Sequence, residues 1–255
     1  AQLRPARAPM IHWDSASQTH VGKVRKRNED ALLDRRPGSL WAVADGMGGH
    51  QNGALASRLI VEQLADLPLG SNLDQNQRRG RQALHQVNHR LTQDMTVCAS
   101  GPAPLSGSTV VAVLAQGRRA LCLWAGDSRC YLWRQKKLYL LSRDHTLAQQ
   151  LISNSNISAS QAARHPNAQA LTRAVGAHEV LRLDVSEFTL QPHDRLLLCS
   201  DGLYRSLSIR QLAQSLQLPT AQASVEQLFT LALQGPASDN LSAIVIRPTA
   251  ATSPT

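Results

Sequence analysis

Short runs of apolar residues recur along the chain, and their spacing predicts its central strands. The runs are rich in Val, Leu, Ile and Trp and are bounded by Gly, Asp, Ser or charged residues, which is typical of strands in a buried sheet. The predicted strands cover residues 40–44, 109–115, 120–125, 131–133, 138–141, 196–199 and 241–246. Several are separated by only a few residues, which permits antiparallel hairpins but not parallel crossovers.

A second spacing, in steps of three and four residues, predicts amphipathic helices. Apolar side chains at these steps form four stripes, and each stripe is expected to face the core. The stripes are Ala56, Ile60, Leu64 and Leu67; Ala83, Val87 and Leu91; Ile209, Leu212, Ala213 and Leu216; and Val225, Leu228, Phe229, Ala232 and Leu233. Antiparallel strands interleaved with such helices predict a layered α+β fold, with the sheets packed together and the helices outside.

Length and composition fit a single enzyme-sized domain. The chain has 255 residues, of which 42% are hydrophobic, enough for one sizeable core. No run approaches the roughly 18 uninterrupted apolar residues that a membrane span needs, and residues 1–10 lack the apolar centre of a signal peptide. We therefore expect a cytoplasmic protein without a membrane contact. The predicted domain is 10–248, with 1–9 as a leader or expression remnant, Met10 as a candidate native start, and 249–255 as a flexible tail.

Cysteine spacing and charge exclude some functional classes and favour others. The four cysteines lie far apart without a C-x-x-C pair, so neither a structural zinc site nor a disulfide framework is indicated. They are Cys98, Cys122, Cys130 and Cys199.

The net charge of +9 favours acidic or phosphorylated partners. The basic residues form short scattered clusters, however, and only 4% of residues are aromatic, so nucleic-acid binding is a rival hypothesis that we do not expect.

Acidic residues fall where the predicted strands begin or end. Asp45 follows 40–44, Asp127 follows 120–125, Asp201 follows 196–199, and Asp239 precedes 241–246. Each one alone is explained as well by a helix cap or a turn. Together they place four carboxylates at sheet edges, where residues distant in sequence can converge. Clustered Asp with few candidate His ligands is the set that Mg²⁺ or Mn²⁺ prefers, and it disfavours zinc.

Two short segments add candidates for metal and phosphate binding. D-G-M-G-G-H at 45–50 is a glycine-rich turn whose bare backbone can offer a carbonyl oxygen to an ion. In G-K-V-R-K-R-N-E-D at 22–30, an extended conformation would place Arg25, Arg27 and Glu29 on one face. A guanidinium suits phosphate because its fork donates two parallel hydrogen bonds, although such a run alone is usually surface charge.

Eight short motifs follow one another along the chain: R-x-x-N-E-D at 25–30, D-G-M-G-G-H at 45–50, G-S-T at 107–109, G-D-S-R at 126–129, D-H at 144–145, L-T-R-A-V-G at 171–176, S-D-G-L at 200–203 and D-N at 239–240. Taken in this order, they resemble the motifs of bacterial protein phosphatases of the PP2C (PPM) family. Each is weak alone, but their order and spacing from about 17 to 246 are specific. The resemblance implies a four-layer α-β-β-α sandwich of two antiparallel sheets flanked by helices. It also identifies the polar segment 146–170, otherwise interpreted as a small mobile appendage, as a flap beside the active-site cleft.

The resemblance implies two or three Mn²⁺ or Mg²⁺ ions per chain. Asp45 would bridge two ions and the Gly46 carbonyl would bind one of them. Asp201 and Asp239 would complete the other site, and Asp127 with Asp201 matches a third-metal site of bacterial members. Asp45, Asp239 and Arg25 would be catalytic, and Arg25 would hold the substrate phosphate. The residues that would orient metal-bound waters are Glu29, Asp30 and Asn240.

The implied reaction is hydrolysis of phosphoserine or phosphothreonine in proteins by a metal-activated water, without a phosphoenzyme. Eukaryotic relatives carry a histidine, proposed as the proton donor, where this chain has Met47. Methionine cannot donate that proton, so a metal-bound water is the expected acid and His50 a weaker alternative.

Partners follow from the resemblance by analogy: phosphorylated protein substrates, a cognate bacterial Ser/Thr kinase, and a link to type VI secretion. The chain is expected to be a monomer. The alternative hypothesis is a catalytically weak PP2C-like regulator that binds phosphoproteins.

Overall fold

The computed structural model describes residues 11–48, 52–97 and 106–249. The strands are β1 (His12–His20), β2 (Asp30–Arg35), β3 (Leu40–Met47), β4 (Gly107–Ser108), β5 (Val110–Gln116), β6 (Arg119–Ala125), β7 (Arg129–Arg134), β8 (Lys137–Leu140), β9 (Asp184–Thr189), β10 (Arg195–Cys199) and β11 (Leu241–Thr249). The helices are α1 (Asn52–Ala65), α2 (Leu73–Val97), α3 (Leu147–Ser155), α4 (Ala159–Ala163), α5 (Asp201–Ser206), α6 (Ile209–Leu216) and α7 (Ala221–Gln234). None of the helices in these ranges is both long and apolar enough to cross a bilayer.

The strands form two antiparallel sheets. One has the order β1-β11-β10-β7-β8, and the other has the order β2-β3-β5-β6-β9, with the short β4 paired to the end of β3. Each sheet contains strands from both halves of the chain, so residues far apart in sequence meet at the same edge.

Three apolar clusters hold four layers together. Along β3, Leu40 and Ala42 face α1 and α2, whereas Trp41 and Val43 face the second sheet, as the alternation of side chains in a strand requires. A third cluster packs α5, α6 and α7 against the outer face of the five-stranded sheet. The α-β-β-α sandwich expected from the resemblance is therefore confirmed.

The seven predicted strands are all present, with shifted ends. β3 continues through Asp45 to Met47, so the prediction that Asp45 follows a finished strand is wrong. β11 runs to Thr249, so the predicted tail begins inside a strand; residues 250–255, like 1–9, lie outside the described residues. The strands missing from the sequence interpretation are β1, β2 and β9 at the sheet edges, and the two-residue β4. Each of the three edge strands has one hydrogen-bonded neighbour on the main path of its sheet, and polar residues interrupt or flank its few apolar ones.

The helical stripes lie on α1, α2, α6 and α7, with two departures. Ile209 is 62% exposed because it is the first residue of α6, so its predicted core position is wrong. Leu67 is buried but lies beyond the end of α1. The flap forms α3 and α4, whose N-termini are capped by the Thr146 and Ser158 hydroxyls. Two of the small polar residues of this segment therefore cap helices, and both its role as a flap and its motion stay predictions.

Candidate active site

A cavity of about 300 Å³ opens at one edge of the sandwich, and both sheets contribute to its walls. Asp45 comes from β3 of one sheet, whereas Asp239 lies two residues before β11 of the other. Asp201 begins α5 two residues after the end of β10, and Asp127 lies in the turn from β6 to β7, which connects the two sheets. The predicted site residues that line this cavity are Arg25, Glu29, Asp45, Gly46, Asp127, Asp201, Asp239 and Asn240.

Negative charge is concentrated at the floor of this cavity. Burial raises the pKa of Asp45 well above its usual value, and the nearby charges of Asp30, Asp201, Asp127 and Asp239 raise it further. Burial, followed by the charge of Asp201, raises the pKa of Asp127 to about 7. Carboxylates held this close together require cations or protons to offset their repulsion.

Two arginines lie among the carboxylates. Arg25 Nη2 is 2.9 Å from Asp239 Oδ2. Arg205 reaches two acids, with Nη1 at 3.1 Å from Asp201 Oδ2 and Nη2 at 3.3 Å from Asp127 Oδ2. Arg205 was not among the predicted site residues. Its position four residues after Asp201 on α5 is the sequence signal that could have identified the pair.

The ligand atoms available in the cavity fit a hard cation. The cavity offers carboxylate oxygens. Mg²⁺ and Mn²⁺ prefer carboxylate and carbonyl oxygens as ligands. Within the described residues, no three His, Cys, Asp or Glu side chains lie close enough to enclose an ion as they stand. Arg25 and Arg205 pair with three of the four aspartates instead. An ion would therefore replace these arginines as the neutralising charge.

Asp30 lies behind the cavity and joins the two sheets. It sits on β2, opposite Asp45 of β3 in the strand register. Its Oδ2 accepts hydrogen bonds from Ser242 Oγ at 2.6 Å and Ser200 Oγ at 2.9 Å, both in the five-stranded sheet or at its end. Burial raises the pKa of Asp30 to about 6, and its Oδ1 is buried without a hydrogen-bond partner among the described residues.

Asn240 holds the loop that carries Arg25. Its Oδ1 accepts a hydrogen bond from the Glu29 backbone N–H at 2.9 Å. Its Nδ2 donates to the carbonyls of Val21 at 2.8 Å and Arg27 at 2.9 Å. These bonds use both donors and one acceptor position of the amide, so the contacts favour loop positioning over the predicted orientation of waters. The extended conformation considered for residues 22–30 is not adopted, because this segment contains bends before β2 begins at Asp30.

Two glycines allow backbone segments to meet beside the carboxylates. A Cβ at Gly46 would lie 2.1 Å from the Gly53 carbonyl oxygen, so only glycine lets the start of α1 pack against β3. A Cβ at Gly202 would lie 2.1 Å from the Asn240 carbonyl oxygen. Close approach therefore explains why glycine follows Asp45 and Asp201. Gly49 and His50 of the same motif lie outside the described residues.

A family model described as Protein phosphatase 2C matches residues 18–244. The chain belongs to the protein phosphatase 2C family. This phosphatase 2C chain is 42% identical to a solved structure described as PppA, a key regulatory component of T6SS in Pseudomonas aeruginosa. The two superpose with a TM-score of 0.85, covering 93% of this chain and 98% of that one.

A second relative provides a structure with metal. The catalytic domain of the serine/threonine protein phosphatase PstP, in complex with two manganese ions, is 31% identical with a TM-score of 0.81, covering 94% of this phosphatase 2C chain and 100% of that one. Full-length PstP of Mycobacterium tuberculosis is 34% identical over 237 residues, which are 90% of this chain and 44% of PstP. The chain therefore spans less than half the length of that relative.

Proposed function

We propose that this chain hydrolyses phosphoserine and phosphothreonine in proteins at an Asp-held Mn²⁺ or Mg²⁺ centre. The observation that carries the proposal is the convergence of Asp45, Asp127, Asp201 and Asp239 in one cavity, with Arg25 at its rim. These acids come from both sheets and from the turn that connects them. Burial and, after it, the charges of the neighbouring acids raise the pKa of Asp45, and a bound cation would offset both effects.

The metal ligands that we propose are the predicted ones. Asp45 and the Gly46 carbonyl would hold one ion, and Asp45, Asp201 and Asp239 a second. Asp127 and Asp201 are placed for a third, in competition with Arg205. When bound, the metal centre would supply a nucleophilic water at neutral pH by lowering its pKa.

Arg25 is proposed to bind the substrate phosphate. Its side chain is 57% exposed, so it can reach a ligand that enters from solvent. It pairs with Asp239, and a guanidinium freed from that pair can donate two parallel hydrogen bonds to phosphate oxygens. Asn240 positions Arg25 by fixing the carbonyls on either side of it. Met47 also lines the cavity and has no proton to give, so the leaving oxygen would take its proton from water.

Metal dependence is the first test of the proposal. We expect release of phosphate from a phosphothreonine peptide and from an aryl phosphate in the presence of Mn²⁺ or Mg²⁺, and its loss on addition of chelator. Asp239→Asn should release phosphate at least about 10²-fold more slowly in the same assay. Equal turnover with and without chelator would contradict the proposal.

The alternative is a catalytically weak regulator that binds phosphoproteins. One observation favours it: the ion pairs of Arg25 and Arg205 already engage three of the four carboxylates. The peptide assay separates the two functions, because a regulator would bind the phosphothreonine peptide with Mn²⁺ present and release no phosphate.

The partners of the chain are proposed by class. We propose phosphorylated proteins as substrates and a bacterial Ser/Thr kinase as the opposing enzyme. The similarity of this chain to PppA supports a role for it in T6SS regulation. Phosphoproteomics of a deletion strain, rescued with the wild-type or the Asp239→Asn form, would identify the substrates. Light scattering of the purified protein would check the predicted monomer.

A further inference from the structure

A second and larger cavity, of about 640 Å³, opens beside the flap. It lies between α3 of the flap, the loop after β8, and the segment that leads into β9. The two cavities adjoin along one stretch of chain. Gln169 and Leu171 line the active-site cavity, and Thr172 and Arg173 line the second one.

Two acidic residues line this cavity, and both are already paired. Asp144 is bound by the fork of Arg129, with Nε at 2.9 Å from Oδ1 and Nη2 at 2.7 Å from Oδ2. Asp184 Oδ1 accepts from Arg173 Nη1 at 2.7 Å, and its Oδ2 lies 3.0 Å from His145 Nε2. The wall therefore presents no unpaired carboxylate from the described residues.

Two arginines of the same wall have no such partner. Arg143 and Arg182 are exposed, and neither makes an ion pair with any residue in the described ranges. Gln149, Gln150 and Asn154 of α3 add amide groups to the lining of the cavity. The cavity thus combines unneutralised guanidinium groups with neutral hydrogen-bond donors, which is the arrangement that recognises phosphate or carboxylate groups.

We propose that this cavity is a subsite for a second anionic side chain of the substrate, bound by Arg143 and Arg182 while the scissile phosphoryl group lies in the active-site cavity. The proposal rests on the proposed phosphatase function, because it assigns one substrate to both cavities. The ligand is an oxyanion on a residue flanking the target phosphothreonine, either a phosphoryl group or a glutamate. Recognition would act on substrate choice and hence on KM.

The test compares phosphothreonine peptides that differ only at one flanking position. That position carries a non-hydrolysable phosphonate analogue of phosphoserine, a glutamate or a glutamine. Its distance from the phosphothreonine is varied from two to eight residues on either side. At the best spacing, we expect the phosphonate peptide to have a kcat/KM about tenfold above that of the glutamine peptide, mostly through KM, as one charge-assisted contact would give. The glutamate peptide shows whether a carboxylate suffices.

The decisive variant is Arg143→Gln/Arg182→Gln. In this variant, kcat/KM for the phosphonate peptide divided by kcat/KM for the glutamine peptide should fall to about 1–2. Cleavage of the glutamine peptide by the variant shows that it is folded. Arg58→Gln/Arg210→Gln is the matched control, since both residues are exposed, line neither cavity and lose the same charge. It should keep the wild-type ratio.

Three outcomes would overturn the subsite. They are an unchanged ratio in Arg143→Gln/Arg182→Gln, an equal fall in the control, and the absence of any flanking preference in the wild type. If no peptide is cleaved, the proposed function fails instead. The subsite is then still measured by calorimetric binding of a peptide that carries the phosphonate and no phosphothreonine, compared between wild type and variant.

Discussion

Replacing Arg205 with glutamine should tighten metal binding at the Asp127–Asp201 pair. Arg205 is the cation that neutralises these two acids in the structure, at 3.3 and 3.1 Å. An ion that binds between Asp127 and Asp201 must displace it. Arg205→Gln removes that competition and keeps a side chain of similar length on α5.

The size of the effect follows from the exposure of the ion pairs. The Arg205 side chain is 42% exposed, whereas those of Asp127 and Asp201 are 7% and 16% exposed. Partly exposed pairs contribute about 0.5–1 kcal/mol each after solvent screening, so both together contribute about 1–2 kcal/mol. Their loss should raise the affinity of the third site about 5- to 30-fold. The metal-free variant should also melt about 2–8 °C lower than the metal-free wild type.

Calorimetric titration of Mn²⁺ into chelator-treated and dialysed protein measures the affinity, and elemental analysis after desalting counts the ions retained. Arg205→Lys keeps the charge but not the fork that reaches both acids, so its affinity should lie between those of the wild type and Arg205→Gln. Arg210→Gln, an exposed arginine on the next helix, is the control for net charge. The reasoning is refuted if Arg205→Gln binds Mn²⁺ no more tightly than Arg210→Gln and its metal-free melting temperature is unchanged.

Three further predictions concern the remaining residues. Asp45→Asn and Asp239→Asn should each lower kcat by about 10² or more at saturating Mn²⁺, measured with the phosphothreonine peptide, because each removes a proposed metal ligand. Arg25→Ala should mainly raise KM for the same peptide, and an unaltered kcat/KM would disprove its role. Burial lowers the pKa of His145 below 6.5, so the unfolded chain binds more protons and the free energy of unfolding should fall as pH drops below about 6.5. Urea midpoints at pH 7.5 and 5.5 should therefore differ less in His145→Gln than in the wild type; an equal difference would contradict this.

The sequence predicts the interior of the fold better than its margins. β3, β5, β6, β10 and β11 are covered on both faces by packed layers, so their residues must be almost wholly apolar and stand out as runs. β1 and β9 lie at sheet edges, where fewer side chains are buried and no such run is needed. Their positions depend on pairing with distant strands, which periodicity alone does not encode.

The acids of the candidate site could be predicted from the sequence, but the contacts that hold them in place could not. Each acid lies near one end of an apolar strand; the four are Asp45, Asp127, Asp201 and Asp239. Asn240 bonds to backbone groups more than 200 positions away, and an amide followed by an apolar strand gives no sign of this. The pairing of Arg205 with Asp127 likewise appears only when the turn after β6 folds over α5.

The acids of the cavity come from two sheets that pack together mainly through side chains. Asp30 of one sheet accepts hydrogen bonds from Ser242 of the other and from Ser200 at the end of β10. The separation of Asp45 from Asp239 is therefore a property of how the sheets are stacked. Substitutions deep in the layer between them, such as at Trp41 or Ile244, would change the spacing of the acids without touching any of them. Metal affinity in this protein should thus be sensitive to mutation across the sandwich interior, and its evolution would be constrained at positions remote from the chemistry.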